Sequence, residues 1–180
     1  MPAMRPTRCP PWWAVVPLLV LTGCGGGQED NFAPVCPGAA IVRDAADLSR
    51  YRGAGRDLTD SVLEGRITGI NGKCARDGSD TVVTTIQVGI ELTRGPAAPG
   101  RQADMSYFVA VLDGERILDK QVFALRAEFP ANADRLRLTG DEVELRLPVT
   151  PTKTAAAYRI QVGFQLSPAE LEVNRQRGRR

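Results

Sequence analysis

The clearest pattern along the chain is an alternation of apolar and polar positions. Between residues 81 and 93, Val82, Thr84, Ile86, Val88, Ile90 and Leu92 alternate with Val83, Thr85, Gln87, Gly89 and Glu91. A period of two over this length predicts a long strand with one buried face. The pattern returns in Val143, Leu145 and Leu147 against Glu142, Glu144 and Arg146, and in Tyr158, Ile160, Val162, Phe164 and Leu166 against Arg159, Gln161, Gly163 and Gln165. Asp113-Gly114 separates two β-rich runs, 106–112 and 116–124, and an Asp-Gly pair in that setting predicts a hairpin because both residues tolerate positive φ. Tyr107, Phe108, Val109 and Val111 put apolar groups on both faces, which places this hairpin centrally in its sheet. Weaker strand signals lie at 39–43, 62–70 and 135–138, with Gly- and Pro-bearing loops at 52–57, 94–101 and 148–154. Residues 44–50 predict one helical turn capped by Asp44.

Short strands at fairly regular spacing predict an all-β fold: a two-sheet antiparallel sandwich of seven or eight strands, immunoglobulin- or fibronectin-like, with an eight-stranded closed barrel as the alternative. The chain's end changes character. Ser167-Pro168-Ala169-Glu170 supplies an N-cap serine, proline at the first helical position and glutamate at the third, with Leu166 and Leu171 placed as a hydrophobic staple. A short C-terminal helix over 168–175 is predicted.

The first residues follow a different rule. Arg5 and Arg8 give a positive start, and Trp12 to Leu21 form a ten-residue apolar stretch, too short to span a bilayer as a helix. Leu21-Thr22-Gly23-Cys24 comes directly after it. These four residues resemble the lipobox of bacterial lipoproteins, in which a branched apolar residue and two small residues precede the cysteine that is acylated. The resemblance implies that residues 1–23 are a removed signal peptide and that Cys24 begins the mature protein, carrying a diacylglyceryl group and an acyl chain. Two such chains suffice for stable anchoring, at about 0.8 kcal/mol per buried methylene. Position 25 is Gly rather than the Asp that commonly retains such proteins at the inner membrane, so the resemblance implies the outer membrane, facing the periplasm, with inner-membrane anchoring as the alternative. Residues 24–33 read as a lipidated flexible tether; nine Gly-rich, polar residues reach about 17 Å as a coil. Residues 34–174 then form the sandwich domain and 175–180 a basic tail. The runs Tyr107-Phe108-Val109-Ala110-Val111 and Val162-Gly163-Phe164-Gln165-Leu166, followed by Asn174-Arg175, resemble uncharacterised proteobacterial envelope lipoproteins, a likeness that implies no activity.

Of four cysteines, Cys9 leaves with such a leader and Cys24 is acylated, so Cys36 and Cys74 remain in a compartment that favours disulfides. A Cys36–Cys74 bridge is predicted, tying the start of the domain to the loop after the second strand, with roughly 3–4 kcal/mol of stabilisation on the chain-entropy model.

Charge adds little. Two of the 23 basic residues, Arg5 and Arg8, lie in the leader, which leaves 21 against 21 acids and favours neither nucleic acid nor acidic substrates. The chain has no histidine, which removes Ser-His-Asp and Cys-His catalysis and every His-ligated metal site. The serines show no Ser-x-x-Lys spacing. Asp57, Asp60 and Glu64 read better as a solvated loop entering a strand than as an acid–base set, and Glu142 and Glu144 as solvent-facing residues of one strand. Asp77-Gly78-Ser79-Asp80 is too short for a calcium loop and reads as a turn, and Gly53-Ala54-Gly55-Arg56 lacks the ending of a phosphate loop. No catalytic residue, metal or cofactor is therefore expected. The chain reads as a non-enzymatic, membrane-anchored module for protein interaction or envelope assembly, the alternative being a carrier of small apolar ligands. Its expected partners are the membrane, through Cys24, and an envelope protein. Arg175, Arg177, Arg179 and Arg180 read first as a solvated, frayed end, the alternative being contact with anionic headgroups or an acidic partner.

Overall fold

The computed structural model describes residues 35–177, which form nine strands and one helix: β1 Gly38–Ile41, β2 Asp47–Tyr51, β3 Ser61–Asp77, β4 Thr81–Arg94, β5 Gln102–Asp113, β6 Arg116–Glu128, β7 Arg135–Thr139, β8 Val143–Pro148, β9 Tyr158–Phe164 and α1 Pro168–Arg177. The expected leader, Cys24 and the tether lie outside the described residues. The strands make two sheets, one ordered β1-β9-β5-β6, the other β2-β3-β4-β7 with β8 also on β4. Every pairing is antiparallel except β1 with β9. This is the two-sheet sandwich with a short C-terminal helix, of nine strands rather than seven or eight, and not a closed barrel.

The alternating positions behave as their period requires. Val82, Ile86, Val88, Ile90 and Leu92 of β4, Val143, Leu145 and Leu147 of β8, and Tyr158, Ile160, Val162 and Phe164 of β9 are all buried in one core shared by both sheets. Gly140, between β7 and β8, is required by close approach: a Cβ there would overlap the Tyr107 hydroxyl, and its N–H continues the ladder by donating to the Val88 carbonyl at 2.9 Å. Burial pushes the Tyr107 phenol up from its ordinary pKa, with the nearby Asp141 charge adding to it.

Four expectations need correction. The helical turn expected at 44–50 is a single 3-10 turn, Arg43–Ala45, with no side-chain cap, and after Ala46 the chain enters β2. Leu48 explains the difference, because it is buried in the core while Asp47 before it faces outward to Arg66, a strand-like alternation too short to read alone. β3 runs on to Asp77, so Cys74 lies within a strand rather than in the loop after it. The β5–β6 hairpin is central only in part: β5 lies between β9 and β6, but β6 pairs with β5 alone and is an edge strand. Finally α1 continues through Arg177, so Arg175 belongs to the helix and not to a tail.

The capping box forms as expected, with the Glu170 N–H donating to Ser167 Oγ at 3.3 Å and the Ser167 N–H to Glu170 Oε2 at 2.7 Å. Asn174 Nδ2 donates to the Asp44 and Asp47 carbonyls at 2.9 and 2.7 Å, which fixes α1 against β2 and the 3-10 turn. Arg50 Nε meets Glu170 Oε1 at 2.8 Å. Burial raises the Glu170 pKa, but the Arg50 hydrogen bond and the Ser167 cap outweigh it and hold the carboxyl below its ordinary value of 4.5. A depressed carboxylate stabilises fully above the unfolded value, and that contribution is lost as pH falls through the lower folded pKa. Amide protection in α1 should therefore fall at acid pH before the core strands open, and Glu170→Gln should remove this pH dependence while lowering protection at neutral pH. Equal acid profiles for the two proteins would contradict the assignment.

Candidate functional site

The flanks of the sandwich differ. On one, α1 and the 3-10 turn lie against β2. On the other, β6 of the first sheet runs beside β8 of the second, and no helix among the described residues covers them.

Large apolar side chains are exposed chiefly on that open flank. Ile117, Leu118 and Val122 of β6 are 59%, 43% and 52% exposed, whereas the other exposed large apolar residues, Val35 and Leu58, stand singly elsewhere. Isolated surface apolar residues need no explanation, but three on one edge strand do. β6 spans 13 residues, and among the described residues its outer backbone groups have no partner strand. An edge of this length is ordinarily guarded by outstanding charges or a covering element.

Two of the cations on β6 turn back over their own sheet, while Arg116, Asp119 and Glu128 stay exposed. Lys120 turns back over β5, its Nζ 4.5 Å from the centre of the Phe108 ring. Arg126 also turns back, with Nε 2.6 Å from Asp104 Oδ1 on β5. That bond is the main reason the Asp104 carboxyl is held below, and the Arg126 guanidinium above, their ordinary pKa values. Gln121 Nε2 donates to Asp119 Oδ2 at 2.9 Å, a bond along the strand itself. A register shift between Val111 and Leu112 places one extra residue on β6 near Leu118, which lines a recess of about 200 Å³ with Gln121, Leu145 and Tyr158.

The other recesses are open grooves. One of about 530 Å³ is bordered by Arg50, Asp104, Arg126 and Gln165, and one of about 360 Å³ lies between β2 and α1, beside Tyr51 and Val173. A third, of about 260 Å³, lies on the outer face of the second sheet. There the register aligns Asp47, Arg66, Glu91 and Arg137 across four strands. Arg66 Nε meets Asp47 and Arg137 Nε meets Glu91, each at 2.7 Å, so the row satisfies itself. Arg137 is the main group holding the Glu91 carboxyl below its ordinary pKa.

The residues singled out from the sequence scatter. Cys36 and Cys74 meet at disulfide distance, Cα to Cα 5.8 Å. Arg175 Nε lies 3.7 Å from Asp44 Oδ2, which gives this arginine a protein partner. Arg177 closes α1, while Arg179 and Arg180 lie outside the described residues. Asp57 and Asp60 bracket a 3-10 turn, Leu58–Asp60, Glu64 faces outward on β3, and Gly78 makes the β3–β4 turn with φ of 72°. Arg56 of the Gly-rich loop stacks over Tyr51 at 5.2 Å. Among the described residues, no three Cys, Asp or Glu side chains gather in a metal-holding group, and no helix is long and apolar enough to cross a membrane. Comparison with protein-family models, with curated proteins and with solved structures returns no match.

Proposed function

We propose that this chain is a lipid-anchored lipoprotein of the outer membrane, facing the periplasm, and that it acts there as a non-catalytic interaction or assembly module by accepting a strand on the free edge of β6. The observation that carries the reading is that edge: a long strand with one sheet partner among the described residues, three exposed apolar residues, and Lys120 and Arg126 folded back over its own sheet. Strand addition suits it, because main-chain hydrogen bonds supply the affinity and alternate side chains the selectivity. A carrier of apolar ligands would need a cavity within the core, yet the space between the sheets is filled by large side chains and the grooves outside it are bordered by charges. Export is supported by Leu21-Thr22-Gly23-Cys24 behind its apolar stretch, and by Cys36 and Cys74 at disulfide distance, an arrangement suited to an oxidising compartment.

Two measurements in cells test the halves of this proposal. Cys24→Ala should leave the precursor unacylated and without stable membrane attachment; an unmodified mature protein starting at any other residue would refute the anchor. A photo-crosslinking residue at Val122 should give a discrete adduct of defined mass, and one at Thr139, exposed on β7, should give none. No adduct from Val122 would remove β6 as the interaction edge.

A further inference from the structure

We infer that the sandwich is held with one of its ends toward the membrane, the end that carries the β3–β4 turn and the β5–β6 turn, and that its opposite end faces away; this rests on reading Cys24 as the lipid anchor. The two ends are distinct. At the first, β3 and β4 join through Gly78-Ser79-Asp80, with Asp77 opposite Thr81, and β5 and β6 join through Gly114-Glu115, with Asp113 opposite Arg116. The sheets are tied together there, because Tyr158 Oη donates to the Pro148 carbonyl and Lys153 Nζ to Asp113 Oδ2, each at 2.7 Å. At the second end lie the connections 95–101 and 129–134. The Ala97 N–H donates to the Ser61 carbonyl at 2.9 Å, the Phe129 N–H to the Arg101 carbonyl at 2.8 Å, and the Arg94 N–H to the Asp134 carbonyl at 2.7 Å.

The chain enters the fold at the first end. Cys36 is bridged to Cys74, three residues before β3 ends at Asp77, and β1 then begins with Gly38 opposite Arg159, the second residue of β9. The bridge fixes this entry point, since β1 alone offers four residues on a single partner strand. Cys24 and Cys36 are 12 residues apart, a reach of at most about 40–43 Å. From Cys74 back to Leu63, the β3 residue opposite Arg94, is 11 residues, or about 36 Å of strand, and the connections 95–101 and 129–134 lie beyond it. Turning that second end to the membrane would lift the entry point to nearly the full span of the chain that must return to Cys24. Every shorter span keeps the first end nearer the lipid. Charge does not pull the broad face of the second sheet down instead, because its row of Asp47, Arg66, Glu91 and Arg137 pairs within itself. In this orientation β6 climbs from Arg116 near the membrane to Glu128 away from it, and its edge is presented to the aqueous compartment along its length.

The test is fluorescence quenching on the full, acylated chain in vesicles that contain a lipid with a nitroxide on its headgroup. With Cys24 acylated and Cys36 bridged to Cys74, an added cysteine is the only thiol of the mature chain and takes a maleimide dye. Ser79→Cys and Glu115→Cys report the first end, Gly100→Cys and Ala131→Cys the second; all four positions are exposed, and a Cβ at Gly100 meets nothing within 4 Å. Dyes at 79 and 115 should be quenched several-fold more than dyes at 100 and 131. Equal quenching at the two ends would mean that the domain lies flat, and stronger quenching at 100 and 131 that it is inverted; either overturns the orientation while the anchor stands. A chain that does not sediment with the vesicles overturns the anchor, and the orientation falls with it.

Discussion

Phe164→Ala should be among the most damaging single substitutions in the domain, costing about 3–5 kcal/mol and lowering the thermal midpoint by roughly 10 °C. Phe164 is 1% exposed, stands opposite Tyr107 in the β5–β9 register, and extends across the space between the sheets. Its reach is visible at Gly65 on β3: a methyl group there would lie 3.1 Å from the Phe164 ring and equally close to Leu92. The ring therefore touches both sheets, and its removal leaves a void that neither strand can fill alone, since each is held by neighbours on both sides. Ile117→Ala is the control. Its side chain is more than half exposed on the edge strand, so the monomer should lose little stability, within about 0.5 kcal/mol. Urea unfolding of both variants at a concentration that keeps the chain monomeric decides the matter. A cost below about 1 kcal/mol for Phe164→Ala would mean that the sheets are not joined through this residue.

The contrast between these two residues also explains what the sequence could and could not tell. β4, β8 and β9 were legible because one face of each is buried and the other wet, so alternation records the burial directly. The helix start was legible because a capping box is a local chemistry of four residues. β2 was not, since only Leu48 and Ser49 of its five residues are buried. The far half of β3 was missed for another reason: Gly69, Gly72, Lys73 and Arg76 interrupt the pattern, and pairing with β4 alone keeps it extended. The candidate edge was hidden most thoroughly. Adjacent apolar residues at Ile117-Leu118 and Val122-Phe123 look alike whether a strand is covered on both faces in mid-sheet or exposed at its edge, and only the order of strands in the sheet separates the two cases. A short apolar run thus predicts a strand well and its place in the sheet poorly.

Removing the bridge, by Cys74→Ser or Cys36→Ser, should cost about 2–5 kcal/mol, and the loss should begin at one end of the sandwich. Cys36 and Cys74 are 38 residues apart in sequence, and closing a loop of that length stabilises by roughly 3–4 kcal/mol on the chain-entropy model. The elements joined are weakly held otherwise. β1 has four residues and a single, parallel partner in β9, while β3 beyond Arg66 has only β4 beside it. Cutting the bridge leaves each of them on one ladder, so hydrogen exchange should accelerate first at residues 38–41 and 70–77. β5 and the buried positions of β9 lie on the far side of that boundary, with two strand neighbours each, and should keep their protection until global unfolding. Reducing the intact protein should reproduce the same order, because it removes the same constraint without changing a side chain's size. Unfolding curves that coincide with and without reductant would show that the bridge contributes nothing. Uniform loss of protection across β1, β5 and β9 would show instead that the sandwich opens as one cooperative unit.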